Sequence, residues 1–180
     1  ELARLVEETD AQMRVCSRHY EPRATALEET LHEEMSRRDV TFKRYGGSLL
    51  FEPETNLNGS GKPYRVFTPF WKQCLSRPHP PAPRLAPDQL TNYPGDLPSD
   101  ALADWQLTPH NPDWAANWGE LWQPGSAGAR NRMANFFGDT VGDYSEGRDR
   151  PAKQSTSRLS PHLHYGELSP RQVWHAAQSY

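Results

Sequence analysis

Residues 144–171 gather side chains suited to one kind of chemistry, the binding of phosphate. Thr156, Ser157 and Ser160 place three hydroxyls within five positions, Arg158 stands among them, and Pro161 falls where a helix can begin. Hydroxyls, backbone N–H groups at a helix start and the positive end of a helix dipole all satisfy phosphate oxygens. The same residues have a plain structural reading, because Ser and Thr before a proline are ordinary helix caps and a neighbouring Arg is commonly surface charge. Local pattern alone leaves both readings open.

Other reactive residue types lack partners in the sequence. His162 and His164 flank Leu163 with no cysteine and no third histidine at ligand spacing, so they read as helix residues and not as a metal pair. Glu167 has no partner carboxylate that spacing identifies. Cys16 and Cys74 are too few and too far apart for a metal cluster or a disulfide framework, and read as reduced and mostly buried. Asn58 to Lys62, N-G-S-G-K, looks like the end of a nucleotide-phosphate loop, but Pro63 follows where Ser or Thr is needed and the leading Gly is missing. A turn is the better account. Trp114, Trp118 and Trp122 recur at helical spacing, which suits core burial better than an electron path. Phe67, Phe70, Trp71 and Cys74 likewise share one helical face and read as packing.

The elements that must position these residues fall into three stretches. Residues 1–76 alternate between helical and strand patterns, the signature of an α/β layer with a mainly parallel sheet. Leu2, Leu5 and Val6 form a helical stripe, Met13 and Val15 a short strand, and Ala24, Leu27, Leu31 and Met35 a second stripe after Pro22; Val40 and Phe42 then alternate as a strand should. Residues 77–98 hold seven of the seventeen prolines, a density that excludes a packed helix and predicts an extended connector. Within residues 126–180, Ala129, Met133, Phe136 and Phe137 give a helix an apolar face.

A formal charge of −3 predicts no strong overall attraction to nucleic acid. Its distribution is uneven. Residues 1–60 carry twelve acids against eight Lys or Arg, whereas residues 144–180 carry five Lys or Arg against three acids, so any surface for a phosphodiester backbone belongs to the C-terminal part. With no apolar run of membrane length and no basic and apolar signal region, the expectation is a cytoplasmic protein.

The segment holding Tyr144, Arg148, Asp149, Pro151, residues 156–161 and residues 166–171 resembles the flavin-binding signature of the DNA photolyase and cryptochrome family. Upstream, Pro63, Tyr64, Val66, Phe67, Thr68, Pro69, Phe70 and Trp71 resemble the same family's P-Y-x-V-[FY]-T-P-F-W box, in the family's order. The run Thr156, Ser157, Arg158 looks most like class I cyclobutane-dimer photolyases. The resemblance implies the C-terminal part of a Rossmann-like α/β photolyase domain at residues 1–76, a Pro- and Trp-rich interdomain linker at 77–125, and the N-terminal part of an all-α FAD-binding domain at 126–180.

It further implies FAD held by Tyr144, Thr156, Ser157, Arg158, Leu159 and Ser160, and Arg148 on a DNA-facing surface. The implied activity is light-driven splitting of cyclobutane pyrimidine dimers in damaged DNA by a monomeric deoxyribodipyrimidine photo-lyase. The alternative is a cryptochrome-like blue-light photoreceptor. Arg23 and Ala24 depart from the polar or acidic contacts common at those places in folate-antenna members, so a second chromophore, of folate or deazaflavin type, is unassigned. No catalytic residue and no metal ligand is expected within these residues. By the same resemblance the chain begins inside the α/β domain and stops early in the helical one. The expectation is that this polypeptide alone holds FAD weakly or not at all and is inactive.

Overall fold

The computed structural model describes residues 1–180, which divide into two units at Pro87 and Asp88, with Ser169–His175 counted in the first unit. In the first unit, helix α1 (Leu2–Thr9) leads into strand β1 (Met13–Ser17), helix α2 (Pro22–Ser36) and strand β2 (Thr41–Tyr45). The strands pair in parallel from Met13 opposite Thr41 to Ser17 opposite Tyr45, so the alternation expected for an α/β layer is present as one β-α-β unit. Pro22 sits in the first turn of α2, where its missing N–H and fixed φ are tolerated. Met35 and Val40 close the core at the turn between α2 and β2, and the Val40 N–H donates to the Met35 carbonyl at 3.0 Å.

The other buried position on α2 is not apolar. Glu28 is buried while Leu27, predicted for the core stripe, is 61% exposed. The Glu28 carboxylate accepts from the His19 amide (2.9 Å), the His19 ring (2.7 Å) and the Arg44 guanidinium (3.2 Å), which ties the ends of β1 and β2 to the middle of α2. Burial acts to raise its pKa, but these donors outweigh burial and hold the carboxyl below the usual range. Four hydrogen bonds explain the turn at residues 58–62: Asn58 N to Lys62 O, Gly61 N to Asn58 O, and the Asn58 Oδ1 accepting from Ser60 and Lys62.

Helix α3 (Phe67–Leu75) carries the expected aromatic face, but that face is not a core. Cys74 is buried and receives a 3.1 Å hydrogen bond from Asn56, whereas Phe67 is 71% exposed and stacks flat on Trp71 at 6.3 Å. The helical period thus identified the face without fixing what covers it. Residues 76–101 form no helix or strand, as proline density requires.

The second unit is helical. A short helix α4 (Trp118–Leu121) is followed by α5 (Ser126–Asn135), which widens into a π turn over Phe136–Thr140, and then by α6 (Tyr144–Gly147) and α7 (Ser160–His164). Ala129 is fully buried on the predicted face of α5. The tryptophan expectation fails here. α4 is too short to align Trp114, Trp118 and Trp122; Trp114 and Trp118 meet edge to face at 5.1 Å and are both more than half exposed, while Trp122 packs under Arg132. Pro124, just beyond the helix, bars its continuation. Helix α8 (Pro170–Gln178) closes the chain, and within the first unit its His175 ring lies 2.9 Å from the Pro80 carbonyl oxygen. No helix is long and apolar enough to cross a membrane.

Candidate functional site

The second unit carries an open cavity of about 370 Å³. One wall is the polar side of α5 and its π turn, which present Asn131, Arg132, Asn135 and Thr140. The facing wall is the loop carrying Gln154, Thr156, Ser157 and Arg158. Two glycines allow close approaches beside these walls. A Cβ at Gly128 would collide with the carbonyl oxygen of Gln123, and a Cβ at Gly147 would collide with the Ser155 side chain behind the loop. The π turn widens the helix where Phe136 and Thr140 reach the cavity, and such turns are frequent at functional positions.

The electrostatics favour an anion. Two guanidinium groups, four side-chain amides and three hydroxyls are opposed by one carboxylate, that of Glu120. Arg132 is held in place by donating to the Leu121 carbonyl (3.1 Å) and by lying 5.2 Å over the Trp122 ring. Ser157 Oγ accepts from the Leu159 N–H at 3.4 Å, which leaves its own O–H to donate. Arg158 has φ 52, a left-handed backbone that a non-glycine residue adopts at a cost. Strain of this kind concentrates at ligand clamps.

The six residues suggested for flavin do not all meet. Thr156, Ser157 and Arg158 line the cavity. Leu159 is buried in the core, so it can offer only its backbone, and Ser160 is exposed at the first turn of α7. α7 has only five residues, so its dipole contributes little and the side chains must dominate. Tyr144 stands outside the cavity, edge-on to the wall residue Phe136 at 6.0 Å. Arg148 is exposed, 5.8 Å from the Tyr144 ring centre and 3.6 Å from the Asp149 carboxylate.

Sequence reasoning missed the α5 wall, and it missed a connection made by His162 and Glu167. His162 is buried and its Nδ1 donates to Glu167 Oε2 at 2.5 Å; Glu167 Oε1 accepts from the Gly125 N–H at 2.7 Å. The His162 ring, and then the Gly125 amide, hold the Glu167 carboxyl below the usual carboxylate range. Gly166 (φ 69) reverses the chain after α7: the Glu167 N–H returns to the His162 carbonyl and the Gly166 N–H to that of Leu163, a Schellman end. A glycine two residues after His164 was the available signal.

Residues 1–88 match the family model described as DNA photolyase. The chain is 40% identical over 174 residues to the deoxyribodipyrimidine photo-lyase of Agrobacterium fabrum, a match covering 97% of this chain and 36% of that protein. It is 28% identical over 174 residues to cryptochrome-1 of Arabidopsis thaliana, covering 95% of this chain and 25% of that one. The crystal structure of a bacterial class III photolyase from Agrobacterium tumefaciens superposes with a TM-score of 0.93 at 40% identity, over 97% of this chain and 36% of that one.

The photolyase family match covers residues 1–88, and over nearly its whole length the chain has photolyases and cryptochromes as its homologues. It spans about a third of the length of the first photo-lyase it matches. The expected likeness to class I in particular is not what this structural match supports, since the solved relative is of class III. The donor set of the cavity fits the diphosphate of a flavin dinucleotide: guanidinium groups for its charge, hydroxyls and amides for its oxygens.

Proposed function

We propose that this chain is part of a light-driven DNA repair flavoprotein that splits cyclobutane pyrimidine dimers, of the class III type and not class I, and that the cavity of the second unit receives the diphosphate of FAD. The observation that carries the reading is the convergence of Arg132, Asn131 and Asn135 from α5 on Thr156, Ser157 and Arg158 from the loop. When bound and reduced, FAD supplies the photochemical electron that opens the dimer. The residues here bind and orient. Arg158 and Arg132 neutralise charge, the Thr156 and Ser157 hydroxyls donate to phosphate oxygens, and the strained backbone at Arg158 presents its guanidinium.

On this reading Tyr144, Leu159 and Ser160 contribute at the margins of the same cofactor, Leu159 through its backbone. The exposed Arg148 meets a phosphate of damaged duplex DNA. Residues 1–76 contribute the end of an α/β domain, 77–125 the linker and 126–180 the start of the helical flavin domain. A second chromophore is unassigned, and the protein acts as a cytoplasmic monomer.

The test is flavin occupancy in protein extended to the length of the relatives. Arg158→Ala and Thr156→Val lower the ratio of flavin absorbance to protein, while Arg148→Ala leaves it unchanged and weakens DNA binding irrespective of base sequence. Equal flavin loss in all three variants would overturn this division of roles. The similarity to cryptochrome-1 supports a second reading, a blue-light photoreceptor. Illuminated, reduced protein that holds flavin but leaves a thymine-dimer oligonucleotide intact would establish the receptor reading over repair.

A further inference from the structure

One carboxylate joins the two walls of the cavity. Gly125 is the residue that opens α5, and α5 carries Gly128, Asn131, Arg132 and Asn135 along the first wall. His162 belongs to α7, which continues directly from Thr156, Ser157 and Arg158 in the second. Glu167 bonds to both: Oε1 to the Gly125 N–H at 2.7 Å and Oε2 to His162 Nδ1 at 2.5 Å. Gly125 has φ 93, so this N–H is aimed by a backbone conformation that few other residues hold. The amide has no other acceptor, and the α5 N-terminus has no side-chain cap, so Glu167 is its external anchor. Neither His162 nor Glu167 lines the cavity, and neither can touch a ligand there.

We propose that Glu167 is a positioning residue for the anion in this cavity, spacing the α5 wall from the hydroxyl and arginine loop through Gly125 on one side and His162 on the other. The inference rests on the reading of the cavity as a diphosphate site. Two oxygens must reach two elements at once, which makes the length of the side chain decisive. The substitution Glu167→Gln keeps an acceptor for Gly125 and a polar partner for His162. Asp, one methylene shorter, cannot keep both contacts. Ala keeps neither.

The probe is ADP, which carries a diphosphate without a flavin ring, titrated into flavin-free protein extended to the length of the relatives and followed by the amide resonances of Gly125, Asn131, Asn135 and Thr156. Circular dichroism at the titration temperature establishes that each variant is folded. Wild-type protein is expected to shift these resonances, Glu167→Gln to bind within a few fold of it, and Glu167→Asp and Glu167→Ala each to lose about tenfold or more in affinity while folded. The Gly125 amide is expected to lose its hydrogen-bonded shift in the last two variants. Extended protein whose cavity resonances ignore ADP would overturn the diphosphate reading, and this proposal with it. A chain that binds ADP equally well as wild type and as folded Glu167→Ala would overturn only the positioning role. Equal affinity of Glu167→Asp and wild type would overturn the dependence on reach and show that charge is what Glu167 supplies.

Discussion

Arg158 combines a positive charge with a backbone at φ 52, and the two properties separate by substitution. Glycine accepts left-handed φ without a Cβ clash, whereas alanine keeps the strain and loses the charge. Arg158→Gly is expected to be more stable to urea than Arg158→Ala by about 1 kcal/mol, with anion binding weakened in both. Glu120 is the one carboxylate in the cavity lining, and its charge opposes any phosphate there. Glu120→Gln should therefore tighten ADP binding by roughly twofold to fivefold, measured in the same titration. An unchanged or weaker affinity would mean that Glu120 contributes structure in place of repulsion.

At the scale of elements, close approach is what builds the site. The end of α6 lies against Ser155, and no side chain fits between them at Gly147. Gly147→Ala is expected to cost about 1–3 kcal/mol in chemical denaturation and to displace the loop that bears Thr156, Ser157 and Arg158. Two carboxylates also stitch elements together, Glu28 joining α2 to the ends of β1 and β2, and Glu167 joining α5 to α7. Both have native pKa values below their ordinary values. A depressed carboxylate stabilises the fold fully above its unfolded pKa, and the contribution is lost as pH falls through that value toward the native one. The urea midpoint should accordingly decline as pH is lowered from about 6 to about 3, and Glu28→Gln should flatten that decline. A midpoint independent of pH in the wild-type protein would rule out this linkage.

At the scale of the whole chain, the net charge of −3 supplies no long-range attraction to a polyanion, and Lys and Arg outnumber acids only in the C-terminal part. On the proposed function, affinity for a dimer-containing duplex falls with added salt, and Arg148→Ala lowers the slope of log affinity against log salt by about 1. An unchanged slope would remove Arg148 from the phosphate contacts. The exposed aromatic face of α3 and the exposed pair Trp114 and Trp118 show a second molecular-scale property, apolar surface that helical spacing alone assigns to a core.

Periodicity and punctuation made the β-α-β unit legible, because the apolar stripes, Pro22 and the proline run act through local sterics that need no tertiary partner. The hydroxyl and arginine cluster at 156–160 was legible for the same reason, as a set of residue types with one chemistry. Its opposite wall was not. Asn131, Arg132 and Asn135 look like any solvated helical face until α5 lies across from the loop, and Glu167 has no sequence neighbour that announces Gly125, forty-two positions away. The buried Glu28 escapes the sequence for a related reason: its partners His19 and Arg44 lie outside α2, and only folding brings the donors that make its burial tolerable.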